Sequence, residues 1–295
     1  EELGTEYACS GNCGTLDQLA AIRWVVKNIS LFGGDPNRIT LMGSSAGAKS
    51  IGALLAVPES KGLFQQIISS SGGPQCIRTK KTAGCVTNML LNALDCTAKD
   101  LLTLSDEELL RGQKVITDNL GNTCMFGPVA DNIVIGENWA EFLQSEEAWS
   151  GKALIGTNRR ECGSMAQDMP DFLEKTAQIA SDLFGTNAVY AHQAYETLTK
   201  GKELSVEEQK ETWVRVISDF MYRSYSDRWA MRFSKRGMQV WQYSMEWLPA
   251  HHDTDRRFVW HELAGDFDGL IPPKKWRRAG QLSDAMYEAF LSFIL

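Results

Sequence analysis

Between Arg38 and Val57 the chain passes from a β-type run through Gly43-Ser44-Ser45-Ala46-Gly47 into a helix-type run, and this junction limits the folds open to it. Arg38-Ile39-Thr40-Leu41-Met42 supplies the apolar and β-branched residues of a buried strand. Residues 46–57 read as a helix ended by Pro58. A Gly-x-Ser-x-Gly between a strand and a helix fits a sharp turn that lifts the middle serine, Ser45, out of a sheet. Glycines on both sides permit the close backbone approach such a turn needs. At the head of a helix, free N–H groups and the helix dipole favour negative charge near the serine. The bare pentapeptide arises by chance roughly 0.1 times in a chain this long. The flanking strand and helix therefore carry the reading.

The surrounding pattern extends that junction into an α/β sheet. Residues 15–30 form an amphipathic helix with Ile22, Val25, Val26 and Ile29 on one face. Gly33-Gly34-Asp35-Pro36-Asn37 is a turn. Residues 66–71 are a short strand stopped by Gly72-Gly73-Pro74, and residues 152–158 are a buried strand ending in a turn. Residues 82–94 and 97–116 read as helices, with a capping sequence at Ser105-Asp106-Glu107-Glu108. Residues 126–131 read as a loop, and residues 165–237 as mainly helical. Residues 240–247 alternate like a strand. A loop rich in His, Asp and Arg follows, and residues 282–295 form a last apolar helix. Helical insertions between sheet strands favour one α/β domain with a helical cap over two sequential domains.

Composition narrows the partners. The formal net charge is −7, with no long run of one sign, which argues against nucleic acid and anionic membranes. Lys274-Lys275-Trp276-Arg277-Arg278 reads as a solvated surface turn after Pro272-Pro273. No run of 18 apolar residues is present, so no membrane span is expected. Glu1-Glu2-Leu3-Gly4 lacks the pattern of a signal peptide, and the missing initiator Met points to a start further upstream. The seven cysteines include Cys76, Cys85 and Cys96, close enough for one local disulfide, but show no zinc spacing, and Cys124 belongs to the same odd set.

A serine nucleophile needs a base within hydrogen-bond reach, and the base needs an acid to hold its tautomer. Where the serine stands on a Gly-x-Ser-x-Gly strand–turn–helix elbow, the acid follows it and the histidine comes last. His192 lies in a helical stretch and reads as surface or packed. His251, His252 and His261 all lie late enough, and position alone does not choose among them. Glu161, just past the 152–158 strand, is a candidate acid, equally readable as the partner of a neighbouring Arg.

Several linked motifs then resemble one known family. Gly11-Asn12-Cys13-Gly14-Thr15-Leu16-Asp17-Gln18, Ala21-Ile22-Arg23-Trp24-Val25, Phe32-Gly33-Gly34-Asp35-Pro36-Asn37-Arg38-Ile39-Thr40 and Gly43 to Gly47 are similar to the type-B carboxylesterase/cholinesterase family, with Ser45 at its nucleophile position. The likeness continues through Ser60-Lys61-Gly62-Leu63-Phe64 to Gly72. Phe126-Gly127-Pro128-Val129-Ala130-Asp131 resembles the family's P-V-x-D loop. Gly156-Thr157-Asn158-Arg159-Arg160-Glu161 resembles its G-T-N-R-D-E, whose glutamate is the triad acid, and this points to Glu161. Ser71 matches a serine that supports that acid by hydrogen bonding. Trp276 and Leu282-Ser283-Asp284-Ala285-Met286 look like the family's final helix. The family's histidine lies some two dozen residues before that Leu-Ser, and this spacing implies His261 rather than His252.

The chain also departs from the family pattern. Ser44 stands where the family often has Glu, which implies loss of a negative charge beside the pocket and no preference for cationic choline esters. Glu262-Leu263 follow His261 directly, where the family places two residues before its acid and leucine. The family's glycine-rich oxyanion loop lies upstream of Gly11, and its chain runs past Leu295. The sequence thus resembles an internal fragment lacking the N-terminal strands and the C-terminal end.

The resemblance implies an α/β-hydrolase fold: a mostly parallel sheet in one truncated catalytic domain over 1–295, with helical cap insertions around 82–120 and 165–237. It implies hydrolysis of a small-molecule carboxylic ester through an acyl-enzyme, with Ser45, Glu161 and His261 as the triad and the Ala46 backbone N–H as an oxyanion donor. Neither cofactor nor metal is implied. The fragment alone is expected to be poorly active. The alternative is a non-catalytic cholinesterase-like binding or adhesion module. The natural ester, the oligomeric state and the choice between cytoplasmic and secreted remain open at this level.

Overall fold

Residues with apolar and β-branched side chains on both faces build a parallel sheet, because only strands covered on both sides bury that much apolar surface. The computed structural model describes residues 3–120, 126–263 and 271–295. Glu1, Glu2 and Cys124, and residues 264–270 of the His- and Asp-rich loop, lie outside the described residues. In chain order the elements are α1 (Cys13–Asn28), β1 (Thr40–Ser44), α2 (Ala46–Leu55), β2 (Gln66–Ser70), β3 (Arg78–Thr79), α3 (Lys80–Leu94), α4 (Asp106–Leu120), β4 (Val129–Ala130) and α5 (Trp139–Phe142). They continue with β5 (Lys152–Asn158), α6 (Gly163–Asp168), α7 (Phe172–Phe184), α8 (Ala188–Thr199), α9 (Val206–Ser218), α10 (Ser224–Lys235), β6 (Gln239–Met245), α11 (Thr254–Val259) and α12 (Trp276–Ile294).

The chain divides into two compact units. The first comprises Glu1–Ile39, Gly52–Phe64 and Pro74–Ser150. In it α1 buries Thr15, Leu19 and Ile22, while Val25, Val26 and Ile29 are half-buried, so the apolar face is shifted one turn toward the N-terminus. Asn12 is a structural node. Its side-chain amide donates to the Val129 carbonyl at 2.7 Å and to Asp131 Oδ2 at 2.8 Å, and its Oδ1 accepts from the Val129 N–H. Asp131 Oδ1 in turn accepts from the N–H groups of Ile133, Val134 and Ile135. The segment read as a loop at 126–131 therefore contains a short strand, β4, paired in parallel with β3. Phe64 and Trp149 stack at 5.5 Å between ring centroids, with the indole N–H donated to the Phe64 carbonyl.

The second unit comprises Thr40–Ile51, Gln65–Gly73 and Gly151–Leu295, and holds the four-stranded parallel sheet in the order β1-β2-β5-β6. The central strands β2 and β5 are buried almost throughout, whereas β1 and β6 at the edges are half-exposed. Ile68 and Leu154 of the sheet pack with Val259 of α11 and Phe290 of α12. Helices α6–α10 intervene between β5 and β6 and bury Phe172, Ala191, Trp213, Val214, Val216 and Ile217 in a cluster of their own. His192 is packed there, edge-on to Trp213. A π-helical turn, Asp219–Arg223, joins α9 to α10.

Several boundaries differ from the pattern-based reading. Residues 97–105 hold turns and a 3-10 turn at Asp100–Leu102, and α4 starts at Asp106 after the cap formed by Ser105 and Glu108. The His- and Asp-rich loop contains α11. The final helix begins at Trp276, so the basic cluster is divided: Lys274 and Lys275 lie in the 3-10 turn that leads in from Pro272, and Arg277 and Arg278 lie in the first turn of the helix.

Candidate functional site

Parallel strands deliver their C-terminal ends to one edge of the sheet, and the connections that leave this edge collect side chains from distant parts of the chain. Ser45 follows β1, Ser71 follows β2, Glu161 follows β5 by three residues, and His251 and His252 lie in the connection after β6. Backbone bonds extend the ladder past the strands: Ser45 N–H to Ser70 O at 2.9 Å, and Ser71 N–H to Gly156 O at 2.8 Å.

The junction at Ser45 is a strained elbow. Ser45 has φ 52°, a left-handed conformation uncommon for a residue with a β-carbon. Space explains one flanking glycine and not the other. A β-carbon on Gly43 would stand 2.4 Å from the Gly47 carbonyl carbon and 2.7 Å from the Ala48 nitrogen, whereas one on Gly47 meets nothing within 4 Å among the described residues. Ala46 is the first residue of α2, so its N–H has no partner within the helix and is oriented as a donor at its N-terminus.

Glu161 is 3% exposed and held by three donors. Ser71 Oγ donates to Oε1 at 2.5 Å, and the Asn158 N–H donates to the same oxygen at 2.7 Å. The second oxygen, Oε2, lies 2.6 Å from Nδ1 of His252. An ionised carboxylate only accepts, so Nδ1 of His252 carries the proton and Nε2 is left as the acceptor.

The imidazole that meets Glu161 is that of His252 and not, as expected, that of His261. His261 sits in the turn after α11, with its ring edge-on to Tyr287 and Nδ1 3.6 Å from Asp284. The reason is topological. The residue that faces Glu161 must lie in the connection leaving β6, and α11 consumes the residues that carry His261 away from that edge. The signal was present in the sequence: Asp255 follows His252 at the spacing the resemblance expects for the acid after its histidine, whereas Glu262 directly follows His261. His251 is turned away, with Nε2 3.2 Å from Arg160 Nη1.

The electrostatics separate the two neighbouring imidazoles. Burial alone would disfavour the charged form of His252 and is the largest single influence. The hydrogen bond to Glu161 and the charges of Glu161, Asp253 and Asp255 together outweigh it, so His252 titrates above the ordinary histidine value. His251 titrates below it, through burial and the Arg160 guanidinium. Next to Glu161, burial pushes the Cys162 thiol up to about 12, which removes it as a competing nucleophile.

A second buried layer supports the first. Asn158 Nδ2 donates to Asp255 Oδ1 and Asn158 Oδ1 accepts from the Asp255 N–H, both at 3.0 Å. Tyr243 donates its hydroxyl to Asp255 Oδ2 and lies within hydrogen-bond distance of Ser70 Oγ. Burial raises the Asp255 carboxyl, and the bonds from Tyr243 and Asn158 oppose it. Tyr243 was not singled out in the sequence, where a strand tyrosine carries no pattern of its own, and Asn158 and Asp255 had been given no role.

Two features shape the surface around His252. Tyr222, within the π-helical turn, has its ring centroid 5.0 Å from that of His252, and Lys49 lies 5.7 Å from the Tyr222 ring. The hydroxyl of Ser44 donates to Asp253 Oδ1. A carboxylate from the connection after β6 therefore stands beside Ser44. Among the described residues, no three His, Cys, Asp or Glu side chains are grouped to hold a metal ion, and no helix is long and apolar enough to cross a membrane.

This arrangement holds an imidazole in one orientation at the sheet edge where Ser45 stands. Comparison with known proteins gives the family. A family model described as the carboxylesterase family matches residues 3–294. Para-nitrobenzyl esterase of Bacillus subtilis (strain 168) is 30% identical over 305 residues, spanning 97% of this chain and 59% of that protein. Neuroligin-2 of Rattus norvegicus is 30% identical over 236 residues, spanning 76% of this chain and 26% of that protein. The crystal structure of the Geobacillus stearothermophilus carboxylesterase EST55 at pH 6.8 superposes with a TM-score of 0.78 at 29% identity, covering 99% of this chain and 61% of that one. The chain thus spans less than two thirds of the length of each of these relatives.

Proposed function

The chain belongs to the carboxylesterase family and has its α/β-hydrolase fold, and from that premise we propose that the protein carrying it hydrolyses small-molecule carboxylic esters through a Ser45–His252–Glu161 triad. The supporting observation is the bond between the buried Glu161 carboxylate and His252 Nδ1 at the sheet edge where the strained Ser45 elbow stands.

In this scheme Ser45 Oγ attacks the ester carbonyl carbon while His252 Nε2 takes the hydroxyl proton. Glu161 holds the tautomer and stabilises the imidazolium without itself taking the proton. The tetrahedral oxyanion accepts from the Ala46 N–H, a donor of the kind whose removal costs about 10²–10³ in rate. Collapse breaks the ester C–O bond, and the leaving alkoxide takes the proton from His252. Water then repeats the sequence on the acyl-Ser45 ester, releases the carboxylic acid and restores the serine. Ser71 and the Asn158 N–H keep Glu161 fixed throughout.

The test uses a short-chain p-nitrophenyl ester and a fluorophosphonate probe, with the labelled residue mapped by mass spectrometry. The expected result is turnover, with covalent label on Ser45 that is lost in Ser45→Ala and in His252→Ala. A binding module without catalysis would leave Ser45 unlabelled, and that outcome would sink the proposal.

A further inference from the structure

Ser45 and His252 come from separate elements, and the separation of hydroxyl and imidazole depends on what ties those elements together. The connection between β6 and α11 is anchored on one side to the segment after β5. Arg160 N–H donates to the Ala250 carbonyl at 2.9 Å, and the His252 N–H donates to the Glu161 carbonyl at 3.3 Å. These bonds place His252 against Glu161. They do not place it against Ser45.

The other side of the connection meets the nucleophile strand. Ser44 is the last residue of β1 and precedes Ser45, and Asp253 follows His252. Ser44 Oγ donates to Asp253 Oδ1 at 2.5 Å, and Arg256 Nε donates to Oδ2 at 3.3 Å, so both carboxylate oxygens are oriented. Arg256 is itself steadied by Glu262 at 2.9 Å. Asp253 has φ 68° and Ala250 has φ 48°. Left-handed residues of this kind are strained and persist only where surrounding contacts hold them. The connection would therefore relax if a holding contact were lost.

We propose that Ser44 and Asp253 form a latch that sets the distance between the Ser45 hydroxyl and the His252 imidazole, making both positioning residues for ester hydrolysis. The proposal rests on the triad reading above. Neither residue touches the reacting atoms. A hydrogen bond to a carboxylate is stronger than one between neutral groups, and this one lies one residue from the nucleophile and one from the base. Misplacement by about 1 Å costs up to 10²-fold in rate, so partial release is expected to cost about tenfold.

The experiment compares Ser44→Ala, Asp253→Gly, their double variant and Ser44→Thr. Glycine suits the left-handed backbone at 253, which keeps that variant from failing on conformation. Rates are read at a pH well above the titration of His252, so that changes in its charge do not enter. Each single variant is expected to lose about tenfold in kcat and in the rate of fluorophosphonate labelling, with KM within about twofold. The double variant should be no slower than the slower single, because both remove one interaction. Ser44→Thr, which keeps the donor, should recover most of the rate. Single losses that multiply, or labelling as fast as in the wild type, would overturn the latch while leaving the triad standing. If the wild-type protein neither labels nor turns over, the triad reading fails, and the latch, as a positioning device for ester hydrolysis, falls with it.

Discussion

The protonation of His252 is set by every group that faces it. Glu161 bonds its Nδ1, Asp253 and Asp255 add negative charge from the same connection and from α11, and burial opposes all three. Tyr222 covers it from the turn joining α9 to α10, and Arg256 pairs with Asp253 nearby. A general base works only when neutral, and the folded-state titration lies above the usual histidine value of about 6.5. The acid limb of kcat/KM against pH is therefore expected to have its midpoint above 6.5. Glu161→Gln removes the charge and turns one of the two accepting oxygens into an NH2 donor, which cannot hold the Nδ1–H tautomer if it faces His252. It should lower kcat by about 10²–10⁴-fold and move the midpoint down, a shift that a purely structural glutamate would not produce. The same upward displacement bears on stability. The charged His252 contributes stability that is complete below about pH 6.5, where the unfolded chain is also protonated, and is lost as pH rises through the higher folded value. His261→Ala serves as the control: its ring is against Tyr287, 44% of its side chain is exposed, and turnover should stay within about twofold of the wild type.

Elements place these side chains, and their junctions carry the sensitive positions. At the β1–α2 junction, Gly43→Ala would drive a β-carbon into the Gly47 carbonyl. The elbow must then open, so labelling of Ser45 should fall far below that of the wild type. Gly47→Ala, which meets no heavy atom within 4 Å among the described residues, should label at a rate close to wild type. Labelling kinetics beside a thermal melt separate the two. Strands β2 and β5 were legible because buried parallel strands are continuous apolar runs, and β1 because its apolar start runs into the elbow glycine. Helix α2 was legible from its elbow and from Pro58. The connection after β6 was not. Its conformation depends on left-handed residues at Ala250 and Asp253 and on bonds to Arg160 and Glu161, none of which leaves a periodic trace in sequence. Counting back from the final helix failed for the same reason, since α11 and the early start of α12 take up chain that the count treated as loop.

At the scale of the molecule, polar nodes tie distant segments together within each unit. In the second unit Tyr243, Asp255, Asn158 and Ser71 connect β6, α11, β5 and the turn after β2 beneath Glu161. Tyr243→Phe leaves the buried Asp255 with one donor fewer, and is expected to cost about 1–3 kcal/mol, read as a lower urea midpoint at unchanged slope. In the first unit Asn12→Ala breaks the node on Val129 and Asp131. It should destabilise by about 1.5–3 kcal/mol, the range for bonds to charged groups. A change smaller than 0.5 kcal/mol would remove the node from its structural role. By itself, the sequence determined the parallel α/β architecture and the Ser45 elbow, while Glu161 and Ser71 were pointed to by the family resemblance. The first two are local: short runs of residue types whose backbone preferences and burial are decided within a dozen positions. Tertiary structure alone decided which imidazole meets Glu161 and which carboxylate meets Ser44. Those choices depend on where one irregular connection crosses the sheet edge, and that path is set by contacts between residues nearly a hundred or more positions apart.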